Sequence, residues 1–109
     1  MTPTIEDLHA LGLRVGTVTR AEPNTGARHP SYSLWIDFGP LGVQQCSAKI
    51  TSRYSAQDLV GRQVVAVTGF DPVRVGGFRS DVLILGALDA SGVVLLAPDS
   101  AVPAGAGIA

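Results

Sequence analysis

Six short apolar runs, each closed off by glycine, proline or a turn-forming Asn or Asp, leave this chain little choice but to fold as short strands. In order they are Leu13 to Glu22, Tyr32 to Phe38, Val43 to Ala48, Gln63 to Thr68, Val82 to Ala87 and Val93 to Leu96. The cleanest is the second. Tyr32, Leu34, Ile36 and Phe38 alternate with Ser33, Trp35 and Asp37, the period of a strand with one face in a core. The run Val82-Leu83-Ile84-Leu85 is continuous instead, and reads as a strand buried on both sides. The thirteen glycines and seven prolines fall between these runs, as turn punctuation and not as low complexity.

Helical signals are confined to two short stretches. Thr4 with Asp7 three positions on has the form of a capping box and predicts a helix over residues 4–10. Its stripe of Ile5, Leu8 and Leu11 must dock on something, the chain's own barrel or a second subunit, because so short a helix is marginal alone. Ser55 to Leu59, ending at Gly61, predicts one helical turn between the third and fourth strands. Five main strands fit a Greek-key barrel, an SH3-like barrel or a small sandwich. The helical turn favours the first: an all-β, five-stranded OB-fold barrel, a plan whose open face and loops commonly bind oligonucleotides. At 109 residues the chain is one domain, 1–109, with the stretch from Pro98 extended over the surface or over a partner.

Several function classes are excluded. Cys46 is the only cysteine, so no intrachain disulfide and no cysteine-based metal site is expected, and mid-strand among apolar neighbours it reads as an inert thiol. His9 and His29 have no metal-ligand spacing. Gly76-Gly77 lacks the Lys-Ser/Thr of a phosphate-cradling loop, and no serine sits in a nucleophile elbow. The chain is therefore expected to be non-catalytic and to need no cofactor. MTPTIEDLHA lacks the basic and apolar regions of a secretory signal, and no apolar run approaches the ~20 residues that span a bilayer. A soluble cytoplasmic protein without membrane insertion is the expectation.

The stretch that carries chemistry is Gly69 to Ala87. There Phe78-Arg79-Ser80-Asp81 sets a ring beside a cation, a hydroxyl and a carboxylate, and Gly76-Gly77 lets the backbone turn this group outward. Arg74 and Arg79 flank the glycines and are placed to meet phosphates. Phe78 would offer a ring to a base, worth roughly 1–3 kcal/mol, or plug the core, and the residues alone favour the plug. Arg28, Lys49 and Arg53 extend the basic strip or merely solubilise the surface. Arg14, with Leu13 and Val15 on the opposite face of its strand, is read as an outward arginine, facing ligand or pairing with an acid such as Asp81. The net charge of −1 means that placement and not total charge would have to attract nucleic acid, and seven of the eight basic residues are arginines, whose planar fork suits phosphates and bases. Trp35, on the polar face of its strand, marks a partner surface.

The segments LRVGTVTRAE (13–22), Arg28-His29-Pro30, LWIDFG (34–39), SAKITSRY (47–54) and GFRSDVLILGA (77–87) resemble, in order and spacing, the tRNA-binding domain that occurs at the ends of some aminoacyl-tRNA synthetases and as free-standing proteins. The helix before the first strand and the tail ending near VPAGAGI look most like the short free-standing form, described as an export-related chaperone. The resemblance covers about Ile5 to Ile108. It implies an OB-fold, a homodimer, and binding of tRNA and of unfolded or pre-export polypeptide. Carried over residue by residue, it implies a binding surface shaped by Arg14, Ser47, Tyr54, Phe78, Arg79, Ser80 and Asp81. The choices are then a tRNA-binding module, a chaperone that grips polypeptide in the same cleft, or a purely structural dimer. The family leans to tRNA and the low charge to polypeptide.

Overall fold

The strand β1, Leu13–Pro23, carries the others. In the computed structural model, which describes all 109 residues, β1 pairs antiparallel with β2 (Tyr32–Asp37) along its second half and with β4 (Gln63–Val67) along its first. It lies between these two partners in the sheet, and its register with β2 slips between Val18 and Arg20. A bulge of this kind adds twist and bends the sheet on itself. β3 (Val43–Ala48) continues the meander beyond β2, and β7 (Leu83–Ile84) pairs with β4, giving the order β3-β2-β1-β4-β7.

Residues 79–82 close this sheet by returning to β3. The Asp81 amide donates to the Gln45 carbonyl (2.8 Å), Gln45 Nε2 donates to the Arg79 carbonyl (2.7 Å), and the Ser47 amide donates to Ser80 Oγ (3.1 Å). The result is the five-stranded OB-fold barrel that the strand count and the α2 turn predict, with α2 at Ala56–Leu59. Leu59 of α2 is fully buried beside Val18, Leu34, Ile36, Phe38, Cys46, Val64 and Val82 in one core cluster. Burial pushes the Cys46 thiol up to about 12, so it stays neutral at physiological pH, as expected of an inert buried cysteine.

The continuous run after Ser80 departs from its expected form. It is not buried on both sides: Val82 is 2% exposed, Leu83 is 49% exposed and Ile84 is 9% exposed. A small closed barrel has one interior face, so its strands alternate inside and outside whatever their composition. The predicted strand Val82 to Ala87 is also divided between β7 and β8 (Gly86–Asp89), because its two parts pair with different strands, and it is preceded by the separate strand β6 (Phe78–Ser80). β6 forms a hairpin with β5 (Val73–Val75), and β8 forms a second hairpin with β9 (Gly92–Leu95).

The chain ends behave differently from each other. Beyond Pro98 the tail lies along β1, where the Val15 amide donates to the Ala106 carbonyl and the Ile108 amide donates to the Leu13 carbonyl. The helix α1, Ile5–Ala10, forms with its capping box, Asp7 and Thr4 exchanging backbone-to-side-chain hydrogen bonds. None of its residues is buried; Leu8 is half-buried while Ile5 and Leu11 are exposed, so both ends of its apolar stripe are left uncovered by the barrel. No helix is long and apolar enough to cross a membrane.

Candidate nucleic-acid interface

Two loops dock on each other at one edge of the barrel, and the docking depends on glycine at both contact points. The β1–β2 loop (24–31) meets the tip of the β5–β6 hairpin, where Asn24 Nδ2 donates to the Val75 carbonyl (3.0 Å). A Cβ at Gly26 would lie 2.5 Å from the Gly76 carbonyl oxygen, and one at Gly76 would lie 2.3 Å from the Gly26 carbonyl carbon. Gly76 and Gly77 both have positive φ, as the Gly-Gly pair predicts. These are the two loops that flank the binding face of an OB barrel. Gly76→Ala is expected to lose ~3 kcal/mol, from left-handed backbone strain plus the clash. Gly77→Ala, with nothing within 4 Å of its Cβ position, should lose only the ~1 kcal/mol of strain. Thermal midpoints of the two variants check this; equal losses would mean that the loops are not wedged together.

Between the loops, the outer face of β1, β2 and β3 carries a row of large side chains. Across the strands Arg20 pairs in register with Trp35, and Trp35 with Gln45. The Arg20 guanidinium lies 4.4 Å from the centre of the Trp35 ring, and its NH2 is 2.9 Å from Glu22 Oε2. On the other side Phe78 meets Trp35 edge-on, with centroids 5.5 Å apart and planes at 83°. Such a T-shaped pair contributes about 0.5–1.5 kcal/mol beyond its area. Phe78 is therefore not a core plug. It is half-buried on the outer face, because β6 lies over β3 and its ring leans on Trp35 instead of Leu34 or Ile36.

The hairpin cations stand at this edge. Arg74 and Arg79 are opposite each other in the β5–β6 register, and both are exposed. Arg74 NH1 donates to the Gly77 carbonyl (3.1 Å). Arg79 Nε lies 2.6 Å from Asp81 Oδ1, a charge pair without a well-directed hydrogen bond, since that oxygen has no hydrogen-bond partner. Arg28 is exposed in the docked β1–β2 loop. Ser80 is buried: its Oγ accepts from Ser47 and donates to the Val82 carbonyl (3.1 Å), so it clasps the barrel shut and holds Phe78 and Arg79 in place.

Other expected site residues lie elsewhere. Arg14 is not an outward surface arginine. It shares parity with the inward Gly16 and Val18, sits half-buried at one end of the barrel, and its NH1 donates to the Gly105 carbonyl of the tail (2.9 Å). There it lines a pocket with Gln44, Thr68 and Asp81. Lys49 is exposed at the rim of an apolar pocket of about 290 Å³ that Ile50, Leu83, Ile84, Val93 and Leu95 also line. Arg53 points to the β8–β9 hairpin, where its NH1 donates to Ser91 Oγ and lies 3.7 Å from Asp89 Oδ2. Hydrogen bonds from Ser91 hold the Asp89 carboxyl below its usual range, with Arg53 a minor cause. Tyr54 packs against the core, and its hydroxyl accepts from the Leu95 amide (3.0 Å). The row Arg20–Trp35–Phe78 is the part that the sequence did not assemble. The tryptophan on the polar face of β2 was the one signal for it.

A barrel of this topology belongs to the OB-fold class, whose open face and flanking loops bind oligonucleotides or oligosaccharides. Residues 13–107 match the tRNA binding domain family, and the chain belongs to that family. It is similar over its whole length to the chaperone CsaA from Bacillus anthracis, at 50% identity and a TM-score of 0.92, with all of both chains covered. It is also similar to the CsaA chaperone protein from Picrophilus torridus, at 34% identity and a TM-score of 0.91 over 99% of this chain and all of the other. A methionine–tRNA ligase from Methanothrix thermoacetophila is 42% identical over 94% of this chain, yet the match spans only 15% of that enzyme's length.

Proposed function

We propose that the protein is a non-catalytic, cytoplasmic tRNA-binding module that lays RNA across the outer face of β1–β3, between the two docked loops. The observation that carries this reading is the Arg20–Trp35–Phe78 row on the outer face, with Arg74 and Arg79 exposed on the other face of the hairpin that carries Phe78 and Arg28 exposed in the loop docked on it, in a chain whose net charge is only −1. Phosphate contacts position the chain and stacked rings hold its bases. Gln45, Ser47, Ser80 and Asp81 hold the β6 hairpin in place. Membership of the tRNA binding domain family supports the choice of RNA.

The active form in this reading is a homodimer. The uncovered ends of the α1 stripe support it, and two faces acting together gain by avidity what one lacks in charge. A second reading has the protein bind unfolded polypeptide, as its likeness to the CsaA chaperones suggests. The apolar pocket beside exposed Leu83 favours it specifically, since it offers side-chain burial without cations other than Lys49.

The test of the first reading is fluorescence anisotropy with labelled bulk tRNA at low salt. The Arg74→Ala/Arg79→Ala variant is expected to bind at least roughly ten-fold more weakly than the unmodified protein. Equal affinities would reject this placement of the interface.

A further inference from the structure

We propose that Trp35, Phe78 and Arg20 form a stacking site for one unpaired nucleobase, so that this face grips a single-stranded stretch of RNA and not a duplex. The inference rests on the tRNA-binding reading and adds to it the part of the ligand recognised. The two rings are set nearly at right angles, 83°, with their centres 5.5 Å apart. That is a corner with two apolar walls and not a closed sandwich, and both rings are half-buried. A flat ring fits it by stacking on one wall and resting its edge on the other.

One side of the Trp35 ring already carries a flat cation. The Arg20 guanidinium lies over the Trp35 ring at 4.4 Å, close to stacking distance. Its hold is weak: besides the Trp35 ring, Arg20 is paired only with Glu22, two positions on and also exposed, and surface pairs of this kind contribute little. An incoming base either stacks on the outer face of the guanidinium or displaces it, and Arg20 then turns to the adjoining phosphate. A base within a duplex has both faces covered by its neighbours, so only an unpaired base offers a free face. The setting also favours a nucleic acid over an apolar polypeptide segment, because Arg20 lies on the Trp35 ring and Arg74 and Arg79 are exposed on the other face of the hairpin that carries Phe78, while the apolar pocket lies apart with none of Trp35, Phe78 and Arg20 in its lining.

Trp35 is the only tryptophan in the chain, so tryptophan emission, excited selectively over Tyr32 and Tyr54, reports this corner alone. The experiment titrates the protein with a single-stranded RNA dodecamer, with an RNA duplex of equal length, and with a reduced, carboxymethylated unfolded protein, following Trp35 emission and label anisotropy together. The expected result is quenching that saturates with anisotropy for the single strand and is several-fold smaller for the duplex. Trp35→Leu should weaken single-strand binding about ten-fold or more, while Trp35→Phe, which keeps a ring, should retain most of it. Anisotropy showing RNA binding with unchanged Trp35 emission would overturn the stacking site and leave the tRNA reading standing. Equal quenching by single strand and duplex would also overturn it. No binding of either RNA, with quenching by the unfolded protein, would overturn both in favour of a polypeptide ligand.

Discussion

Replacing Phe38 by alanine is expected to remove about 3–5 kcal/mol of stability, a third or more of what a domain of this size commonly has. Phe38 is the largest of the fully buried side chains. It stands at the end of β2, where its amide donates to the Gly42 carbonyl (3.0 Å) and fixes the turn into β3. Its ring lies against Gly16, whose position would put a Cβ 2.7 Å from the ring and 2.4 Å from Ile36 Cγ2. That close approach requires a glycine at this point of β1, and Gly16 has no side chain with which to refill the space left by the ring. Urea unfolding followed by circular dichroism measures the loss. A value below ~1.5 kcal/mol would mean that the barrel collapses onto the gap and that the core is softer than its packing implies.

The parts of the fold with a clear period were legible before any coordinates. The alternation of Leu34, Ile36 and Phe38, the Thr4–Asp7 capping box and the left-handed Gly76-Gly77 all appear where the residues place them. The reading of Val82 to Ala87 as one strand buried on both sides fails because continuous apolar sequence carries no period, and its pairing with β4 and then β9 is decided by the closed barrel. The site was harder still. The Arg20–Trp35 contact follows a register slip between Val18 and Arg20 that no local pattern announces. Arg14 was assigned to the wrong face because its strand is buried on both sides for a reason lying ninety residues away: the tail covers Val15 through Gly105 and Ala106. Docking of Gly26 on Gly76 is likewise a contact between distant loops, and only the need for two glycines leaves a trace in sequence.

The second large effect expected is that of salt on tRNA affinity. If Arg20, Arg28, Arg74 and Arg79 each neutralise one phosphate, affinity should fall roughly 10²-fold between 50 and 200 mM salt, with a log–log slope of about −3 to −4 for each engaged face. A dimer that uses both faces would double the slope. Arg74→Ala/Arg79→Ala should flatten it by about two, since each phosphate contact removed lowers the slope by about one. Polypeptide binding through the apolar pocket of Ile50, Leu83 and Val93 should be nearly flat over the same range. Anisotropy titrations at four or five salt concentrations separate the two ligands in one series.

The most direct test of the central claim is the footprint of bulk tRNA on the protein's backbone amides, read by heteronuclear NMR. The account predicts the largest perturbations at residues 20–28, 33–35, 45–47 and 74–79, the strands and docked loops around Trp35. Perturbations confined to Arg14, Gln44 and Thr68 at the barrel end, or to the Ile50–Leu83 pocket, with the Trp35 face unaffected, would contradict it.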